Sequence, residues 1–479
     1  MLEKVFKLKS NGTTVRTELV AGLTTFMTMA YIIALNPNLL TNFGAEGTEL
    51  WNGVFMATCI ASAVGMFCMA FIANKPFALA PGMGLNSFFA VVVGNIVTMT
   101  GMSYVESFQS ALIIILVEGI VFIVLSLFNV REKIVESIPL GIRLGISPAI
   151  GLMLMNIGLG SNVSIYAAGN NFESPFFVMR DFFGALTPGV LQTAMGAEGY
   201  ATMILSTITM FVGLFVIIAM DKKGIKGAVL VGMLVASVVY WAGSFLFLNT
   251  NPFASLATAS FLPPVKDMVE TTLFKFNFAG FMEIGWFTII TLVITFCIID
   301  MFDTIGTLVG TASRAGMVDE NGNMPNMKEA LLSDAIGTIA GACTGTSTVT
   351  TFVESASGVE AGGRTGLTAL ATGVLFLACI FIAPIAAIIP AAATSSALIY
   401  VGVLMLQGLS KVDFKDMDQM VPVFLMLLAM PVSGSIGHGI GLGLIAYTII
   451  KIFSGKFKEV SILTYVISAL FIVKFFLVV

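Results

Sequence analysis

The chain has 479 residues, of which 57% are hydrophobic and only 10% are charged, and its formal net charge at pH 7 is −4. Soluble domains carry about 25% charged residues, and a soluble protein of this length has too little interior to hide so much apolar surface. The composition therefore excludes a soluble domain and predicts an integral membrane protein. The small net charge identifies no partner, and we expect no nucleic acid among the partners.

Apolar runs follow one another along the whole chain. Most are continuous and about twenty residues long, which is the length that an α-helix needs to cross the hydrocarbon core of a bilayer. The pattern predicts an all-α polytopic membrane protein with about fourteen transmembrane segments. The predicted segments are 19–39, 52–73, 79–97, 109–129, 145–160, 200–220, 226–247, 285–310, 329–345, 350–361, 365–388, 392–409, 420–433 and 436–453.

The basic residues test the orientation of these segments, because cytoplasmic loops are enriched in Lys and Arg. With the N-terminus inside, alternate loops contain Lys75, Arg131, Lys133, Lys222, Lys223, Lys226, Arg314, Lys328, Arg364, Lys411, Lys415, Lys451, Lys456 and Lys458. The short loops on the other side contain no Lys or Arg. This distribution predicts a multi-pass protein of the cell (inner or plasma) membrane with a cytoplasmic N-terminus.

Two stretches in different halves of the chain resemble each other. One begins at Pro139 and the other at Pro390, and a glycine follows each proline at the same distance, Gly151 and Gly402. Because seven spans per half is an odd number, the second half would enter the membrane upside down, as in many alternating-access carriers. The predicted divisions are a first inverted repeat at 1–250, a second at 251–459 and an additional apolar segment at 460–479, whose topology stays open.

Two of the predicted spans look broken. The third reads K-P-F-A-L-A-P-G-M-G-L-N-S-F-F from Lys75 to Phe89, where Pro81 lacks a backbone donor and Gly82 permits non-helical backbone. Its counterpart, the tenth, has β-branched residues before Glu354 and small residues after it. Non-helical backbone at membrane depth is tolerated only where it is buried in protein or lines a cavity. We predict a short strand followed by a half-helix in both segments, with a flat polar ligand bound between them.

Carboxylates inside apolar runs are the leading candidates for ligand binding and proton movement, because charge at membrane depth is costly. Glu354 ranks first, since it lies in a broken helix among free backbone donors. Asp303 ranks second and Asp300 third; they are three residues apart in the eighth predicted span and share a helix face.

Other polar residues in apolar runs have structural interpretations. Glu118 is expected to hydrogen-bond a neighbouring helix, and Asp334 to cap a helix or pair with Lys328. His438 follows a Gly-rich turn and is expected to be structural, and Arg143 lies at an inner end, where the charge bias explains it. The cysteines lack C-x-x-C spacing and are expected to be small buried side chains, so no metal site is predicted: Cys59, Cys68, Cys297, Cys343 and Cys379.

Four stretches together resemble the AzgA-like purine permeases, a branch of the nucleobase–ascorbate transporter superfamily. They are Thr17 to Pro37, Ala80 to Phe89, Phe302 to Gly310 and Thr350 to Ala369, and T-T-F-V-E-S-A-S-G is their most specific part. The resemblance covers nearly the whole chain. It implies a seven-plus-seven inverted topology, core and gate domains interleaved between the repeats, and uptake of guanine, hypoxanthine or adenine. It implies no cofactor, with the proton as the coupling ion.

The resemblance places Asp303 at the acidic position of the eighth span, Glu354 at that of the tenth, and Asn86 at the polar contact of the third. The predicted substrate-binding residues are Glu354, Asp303, Asn86, Phe352 and Ser355, and the predicted proton-coupling residues are Asp303, Asp300 and Glu354. A carboxylate accepts two hydrogen bonds side by side, matching the N1–H and 2-amino donors of guanine. Adenine offers only its exocyclic amine, so it should bind less well unless Asp303 or Asn86 compensates. Phe352 is a candidate for stacking on the base, with packing as the other interpretation.

Three other interpretations remain to be weighed. An anion carrier of the sulfate/bicarbonate type shares the inverted fold, but it would need positive charge or bare helix N-termini where this chain has Glu354. A uracil- or xanthine-type permease differs only in the base. A membrane-embedded hydrolase would need a nucleophile with its base or a metal set, so we predict no enzyme. The sequence leaves open whether two copies form a homodimer.

Overall fold

The computed structural model describes residues 2–128, 138–160, 166–168, 180–182, 188–257, 259–314, 317, 324–433 and 435–477. The predicted loop residues Arg131 and Lys133 lie outside these ranges. Helices make up most of the described chain. They are α1 (Leu2–Phe6), α2 (Val15–Met29), α3 (Ile32–Leu40), α4 (Thr48–Cys68), α5 (Met83–Thr100), α6 (Tyr104–Leu127), α7 (Leu140–Leu159), α8 (Pro188–Lys222), α9 (Ala228–Phe247), α10 (Val265–Thr271), α11 (Phe278–Glu283), α12 (Trp286–Arg314), α13 (Met327–Thr344), α14 (Ser355–Glu360), α15 (Gly366–Ala378), α16 (Ala383–Ala387), α17 (Ala391–Met405), α18 (Met417–Ser433), α19 (Ile436–Phe453) and α20 (Ile462–Leu477).

Four short strands accompany the helices. They form two antiparallel pairs, β1 (Leu79–Pro81) with β4 (Val349–Thr351) and β2 (Tyr166–Ala168) with β3 (Arg180–Phe182). The first pair joins segments from opposite halves of the chain and lies inside the helical bundle, since every residue of both strands is buried.

Eleven helices of the described residues are long and apolar enough to cross a membrane. Two further apolar helices are shorter, Met417–Ser433 and Ile462–Val473. The chain is thus a polytopic helical membrane protein, as its composition predicts. One predicted start is wrong: α7 begins at Leu140 and not at residue 145. The glycines of its first turns lie in close helix contact, where Gly141 meets Gln419 and Gly145 meets Val423 of α18.

The helices pack as two groups that alternate along the chain. The first bundle contains α2 to α6 and α12 to α15, with extensive packing of α4 and α6 on α13 and of α2 on α15. The second bundle contains α7 to α9 and α17 to α20, with extensive packing of α7 on α17 and α18. The bundles meet along a narrower seam, where α7 faces α5 and α12.

The two stretches that resemble each other in sequence cross in the second bundle. Pro139 caps the start of α7 and Pro390 caps the start of α17. At the crossing, a Cβ on Gly151 would lie 2.5 Å from the carbonyl oxygen of Gly402, and a Cβ on Gly402 would lie 2.5 Å from that of Gly151. Only glycine permits this approach. Each landmark residue therefore contacts its own counterpart, which is the reciprocal contact that a twofold relation produces.

The apolar segment after Lys458 forms α20, which runs antiparallel to α19 along most of its length. The hydroxyl groups of Thr448 and Ser468 are 3.0 Å apart. The rings of His438 and Phe475 pack edge-on, with their centroids 5.6 Å apart. The segment therefore packs lengthwise on the second bundle.

Candidate functional site

The broken third and tenth segments meet inside the first bundle. β1 and β4 pair in the register Leu79 with Thr351 and Pro81 with Val349. A helix follows each strand at once, with Gly82 as the N-cap residue of α5 and Glu354 as that of α14. The predicted strand and half-helix are confirmed in both segments. The pairing satisfies backbone groups that lipid could not satisfy, which is the condition for irregular backbone at membrane depth.

Glu354 lies partly buried at this crossing. The hydroxyl group of Tyr31 donates a hydrogen bond of 2.8 Å to its Oε1 atom. Tyr31 is fully buried and is the N-cap residue of α3. This bond orients the carboxylate and leaves acceptor positions on both of its oxygens, since each can accept two hydrogen bonds.

Asp303 lies on the facing helix α12, also partly buried. A Cβ on Gly82 would lie 3.6 Å from Asp303 Oδ2 and 2.5 Å from Thr350 Cγ2, so only glycine fits between the strand and this carboxylate. Helices α12 and α14 pack against each other, so Asp303 and Glu354 border the same crossing. The structure therefore brings together the two carboxylates that the sequence ranks highest.

Asp300 lies deeper, in a fully buried cluster with Asp334. The hydroxyl group of Thr304 is 2.9 Å from Asp300 Oδ1 and 3.2 Å from each carboxyl oxygen of Asp334. It also lies 2.6 Å from the hydroxyl group of Thr350 on β4. The predicted pairing of Asp334 with Lys328 is wrong, because Lys328 donates to the carbonyl of Leu127 at 3.1 Å while Asp334 faces inward.

Asn86 is fully buried in α5, and its amide is occupied by protein groups. Its Nδ2 donates to Asn36 Oδ1 at 2.6 Å and to the Pro81 carbonyl at 3.1 Å. Its Oδ1 accepts from the hydroxyl group of Ser347. Both amide hydrogens are thus used, and Asn36 extends the network to Thr346 at 2.9 Å. The structure places Asn86 as a clamp between the two broken segments; a contact with the base stays a prediction that requires releasing one of these bonds.

Ser355 and Phe352 connect the segment around β4 to the residue before β1. Ser355 Oγ accepts from the Ala78 N–H at 2.9 Å, and Phe352 N–H donates to the Ala78 carbonyl at 3.0 Å. Ser355 is fully buried, and only 6% of Phe352 is exposed, which leaves little of its ring to stack on a ligand in this conformation. Their predicted contacts with substrate are untested by this geometry.

Glu118 is predicted to hydrogen-bond a neighbouring helix, but the hydrogen bond that the structure gives it comes from irregular chain. The hydroxyl group of Thr348, in the irregular chain just before β4, donates to Glu118 Oε2 at 2.7 Å. Among the described residues, no group of three or more His, Cys, Asp or Glu side chains is arranged to hold a metal ion.

A family model described as a permease family (Xan_ur_permease) matches residues 16–436. The chain belongs to this family. Adenine permease AdeP of Escherichia coli is 37% identical over 474 residues, covering 99% of this chain and 96% of that protein. Guanine/hypoxanthine permease PbuO of Bacillus subtilis is 37% identical over 476 residues, covering 99% and 100%. The chain is therefore a membrane transporter and not an enzyme.

The fold of this permease is also found in a solved structure, the transmembrane domain of a cyanobacterium bicarbonate transporter, BicA. The TM-score is 0.61 over 88% of this chain and 97% of that one, at 14% sequence identity. An identity this low shows a shared fold only.

Two residues of the permease site escaped the sequence analysis. Tyr31 holds Glu354, and Asn36 holds Asn86, yet neither side chain is ionisable near neutral pH, and neither lies in a broken span. Both belong to the stretch from Thr17 to Pro37 that carries the family resemblance. The signal that could have identified both residues is a hydrogen-bonding side chain within an apolar run.

Proposed function

We propose that this permease imports purine nucleobases by proton symport with alternating access. The observation that carries the proposal is Glu354, a carboxylate held in place by Tyr31 at the crossing of two broken segments, which Asp303 also borders. The relatives support the substrate class, because they are named as permeases of adenine and of guanine and hypoxanthine.

Glu354 would recognise the Watson–Crick edge of the base. One lone pair of Oε1 is used by Tyr31, and the remaining acceptor positions of Oε1 and Oε2 match the N1–H and 2-amino donors of guanine. Hypoxanthine keeps the N1–H. Adenine presents an acceptor at N1, and a protonated Asp303 would supply the donor that it needs, since the Asn86 amide is occupied.

Asp303 and Asp300 would carry the coupled proton together with Glu354. The single hydroxyl hydrogen of Thr304 faces oxygens of both Asp300 and Asp334, so it cannot serve two charged carboxylates at once. A proton taken up at this cluster would be held by one of the two carboxyl groups. This cluster reaches β4 through Thr350, which would connect the proton to the crossing that holds the base.

The two bundles suit an alternating-access carrier. We assign the first bundle as the core that holds the base and the second as the gate, in fourteen spans with an inverted repeat and a cytoplasmic N-terminus. The reciprocal contact of Gly151 with Gly402 and the antiparallel pairing of β1 with β4 support the inverted repeat. A homodimer remains open. An anion carrier is disfavoured, because Glu354 and Asp303 would repel an anion at this site.

The test is uptake of radiolabelled guanine, hypoxanthine, adenine and uracil into proteoliposomes, with and without an outside-acid pH gradient. We expect purine accumulation driven by the gradient. Loss of two charge-assisted hydrogen bonds in Glu354→Gln should reduce uptake about 100-fold, whereas the control Glu360→Gln, at an exposed position in the same helix α14, should transport normally. Unchanged uptake by Glu354→Gln would refute the site, indifference to the gradient would refute proton coupling, and uracil as the best substrate would assign a pyrimidine permease.

A further inference from the structure

Arg143 is a partly buried cation near the start of α7, in the second bundle. Its Nε atom is fully buried and has no hydrogen-bond partner. Its guanidinium forms neither an ion pair nor a hydrogen bond with any residue that the structure describes. Charge bias alone would explain an arginine exposed at a helix end, but it does not explain a buried Nε donor that no described residue satisfies.

Arg143 lies on the face of α7 that faces the first bundle. Ile150, seven residues further on, packs against the first turn of α5, where a Cβ on Gly84 would lie 2.8 Å from Ile150 Cγ2. Residues seven apart lie on the same face of a helix. The opposite faces are occupied within the second bundle, where Gly145 meets Val423 and Gly151 meets Gly402. Arg143 therefore lies along the seam between the bundles.

Among the described side chains of the two helices that α7 faces across this seam, the charged groups are carboxylates of the site. Arg143 is the only charged residue of α7, and α5 has none. From the first bundle, α12 contributes Asp300 and Asp303, and α14 follows Glu354. Seven residues of helix correspond to about 10 Å, so Arg143 lies about two turns along α7 from Ile150, which contacts Gly84. Gly84 is two residues from Gly82, and Gly82 borders Asp303.

A buried donor without a partner costs free energy, and a second conformation in which it is hydrogen-bonded would recover that cost. We propose that Arg143 is the counter-charge of the empty carrier: it pairs with Asp303 or Glu354 after the base and the proton have left. This inference rests on the proposed function. While the base and the proton are bound, they occupy the site and neutralise the charge of its carboxylates. Once they leave, the carboxylates would have to pass between the two access states with their negative charge uncompensated. A one-turn shift of a helix along its neighbour, about 5 Å, together with the long arginine side chain would bring the groups into contact.

The proposal separates two transport modes. Exchange of external for internal base needs only the loaded carrier to reorient, whereas net uptake also needs the empty carrier to return. Arg143→Gln should therefore lower net uptake about tenfold and leave exchange within twofold of the unchanged protein. Arg143→Lys, which keeps the charge, should restore at least half of the net uptake.

The experiment compares both modes in proteoliposomes, using whichever of guanine, hypoxanthine, adenine or uracil the unchanged protein transports. Arg16→Gln, which removes an exposed charge near the N-terminus, is the matched control and should change neither mode. Arg143→Met, which keeps the aliphatic length of the side chain, replaces Arg143→Gln if that variant does not fold.

An unchanged ratio of net uptake to exchange would overturn the proposal. If both modes fall equally, Arg143 is a packing residue. The failure of the proposed function looks different. If the unchanged protein transports uracil best, the purine assignment fails while the ratio still tests Arg143, and if it transports no base, both fail.

Discussion

Removing the Tyr31 hydroxyl group perturbs the candidate site with the smallest possible change. Tyr31→Phe deletes one oxygen atom, the donor of the 2.8 Å hydrogen bond to Glu354 Oε1, and keeps the fully buried ring in place. The two residues are 323 positions apart in the chain. The effect of the substitution therefore measures a contact that exists only in the folded site.

The expected magnitude follows from the character of the bond. A hydrogen bond to a charged acceptor contributes about 1.5 to 3 kcal/mol. Glu354 is partly buried and not completely enclosed, so water can replace part of the lost bond, and we take the lower end. Without this bond the ligand itself must order the carboxylate, so we expect its affinity to fall. A loss of about 1.4 kcal/mol corresponds to a tenfold weaker affinity for the base.

The assay is equilibrium binding of radiolabelled base to purified protein, with thermal unfolding measured on the same samples. The control is Tyr104→Phe, which removes a hydroxyl group that donates 2.9 Å to the Leu40 carbonyl, away from the site; it should leave affinity unchanged. In a Glu354→Gln background, Tyr31→Phe should cost much less than in the unchanged protein. An unchanged affinity in Tyr31→Phe, or full additivity with Glu354→Gln, would refute the argument that Tyr31 positions this carboxylate.

Two further substitutions test the crossing around the site. Gly82→Ala would place a Cβ 2.5 Å from Thr350 Cγ2 and should abolish uptake by pushing the two broken segments apart. The control is Gly94→Ala within α5, where a Cβ meets nothing within 4 Å, and this variant should transport normally. Equal uptake by both variants would contradict the close fit. Asn86→Ala deprives Asn36 of a fully buried partner and should lower the free energy of unfolding by about 1 to 3 kcal/mol, seen as a lower unfolding midpoint without ligand. An unchanged midpoint together with weaker binding would instead make Asn86 a direct substrate contact.

The sequence predicted the local features well because they depend on short stretches of chain. Apolar runs locate the helices, since each span must satisfy its backbone hydrogen bonds internally. The breaks at Pro81 and before Glu354 were predictable because proline and clustered β-branched residues disfavour a continuous helix. The start of α7 was misplaced because the spans were bounded by charged residues, whereas this helix begins before Arg143.

The partners of the polar residues could not be predicted in the same way. Asp334 is predicted to cap a helix or pair with Lys328, a neighbour along the chain, but folding turns it inward toward Thr304 on another helix. The family resemblance places Asn86 at a substrate contact, yet both of its amide hydrogens are used by Asn36 and Pro81. A side chain's partner depends on which helix packs beside it, and no local pattern records that.

Hydropathy, charge placement and local breakers in the sequence are thus enough to establish a polytopic membrane protein with two interrupted spans and carboxylates at Asp303 and Glu354. These properties are determined by the cost of placing charge and unpaired backbone in lipid, which each segment meets alone. The tertiary structure decides that the two interrupted spans pair with each other, that Tyr31 holds Glu354, and that the Nε atom of Arg143 is buried without a hydrogen-bond partner among the described residues. Those relations join residues far apart in the chain, and they arise only when the helices pack.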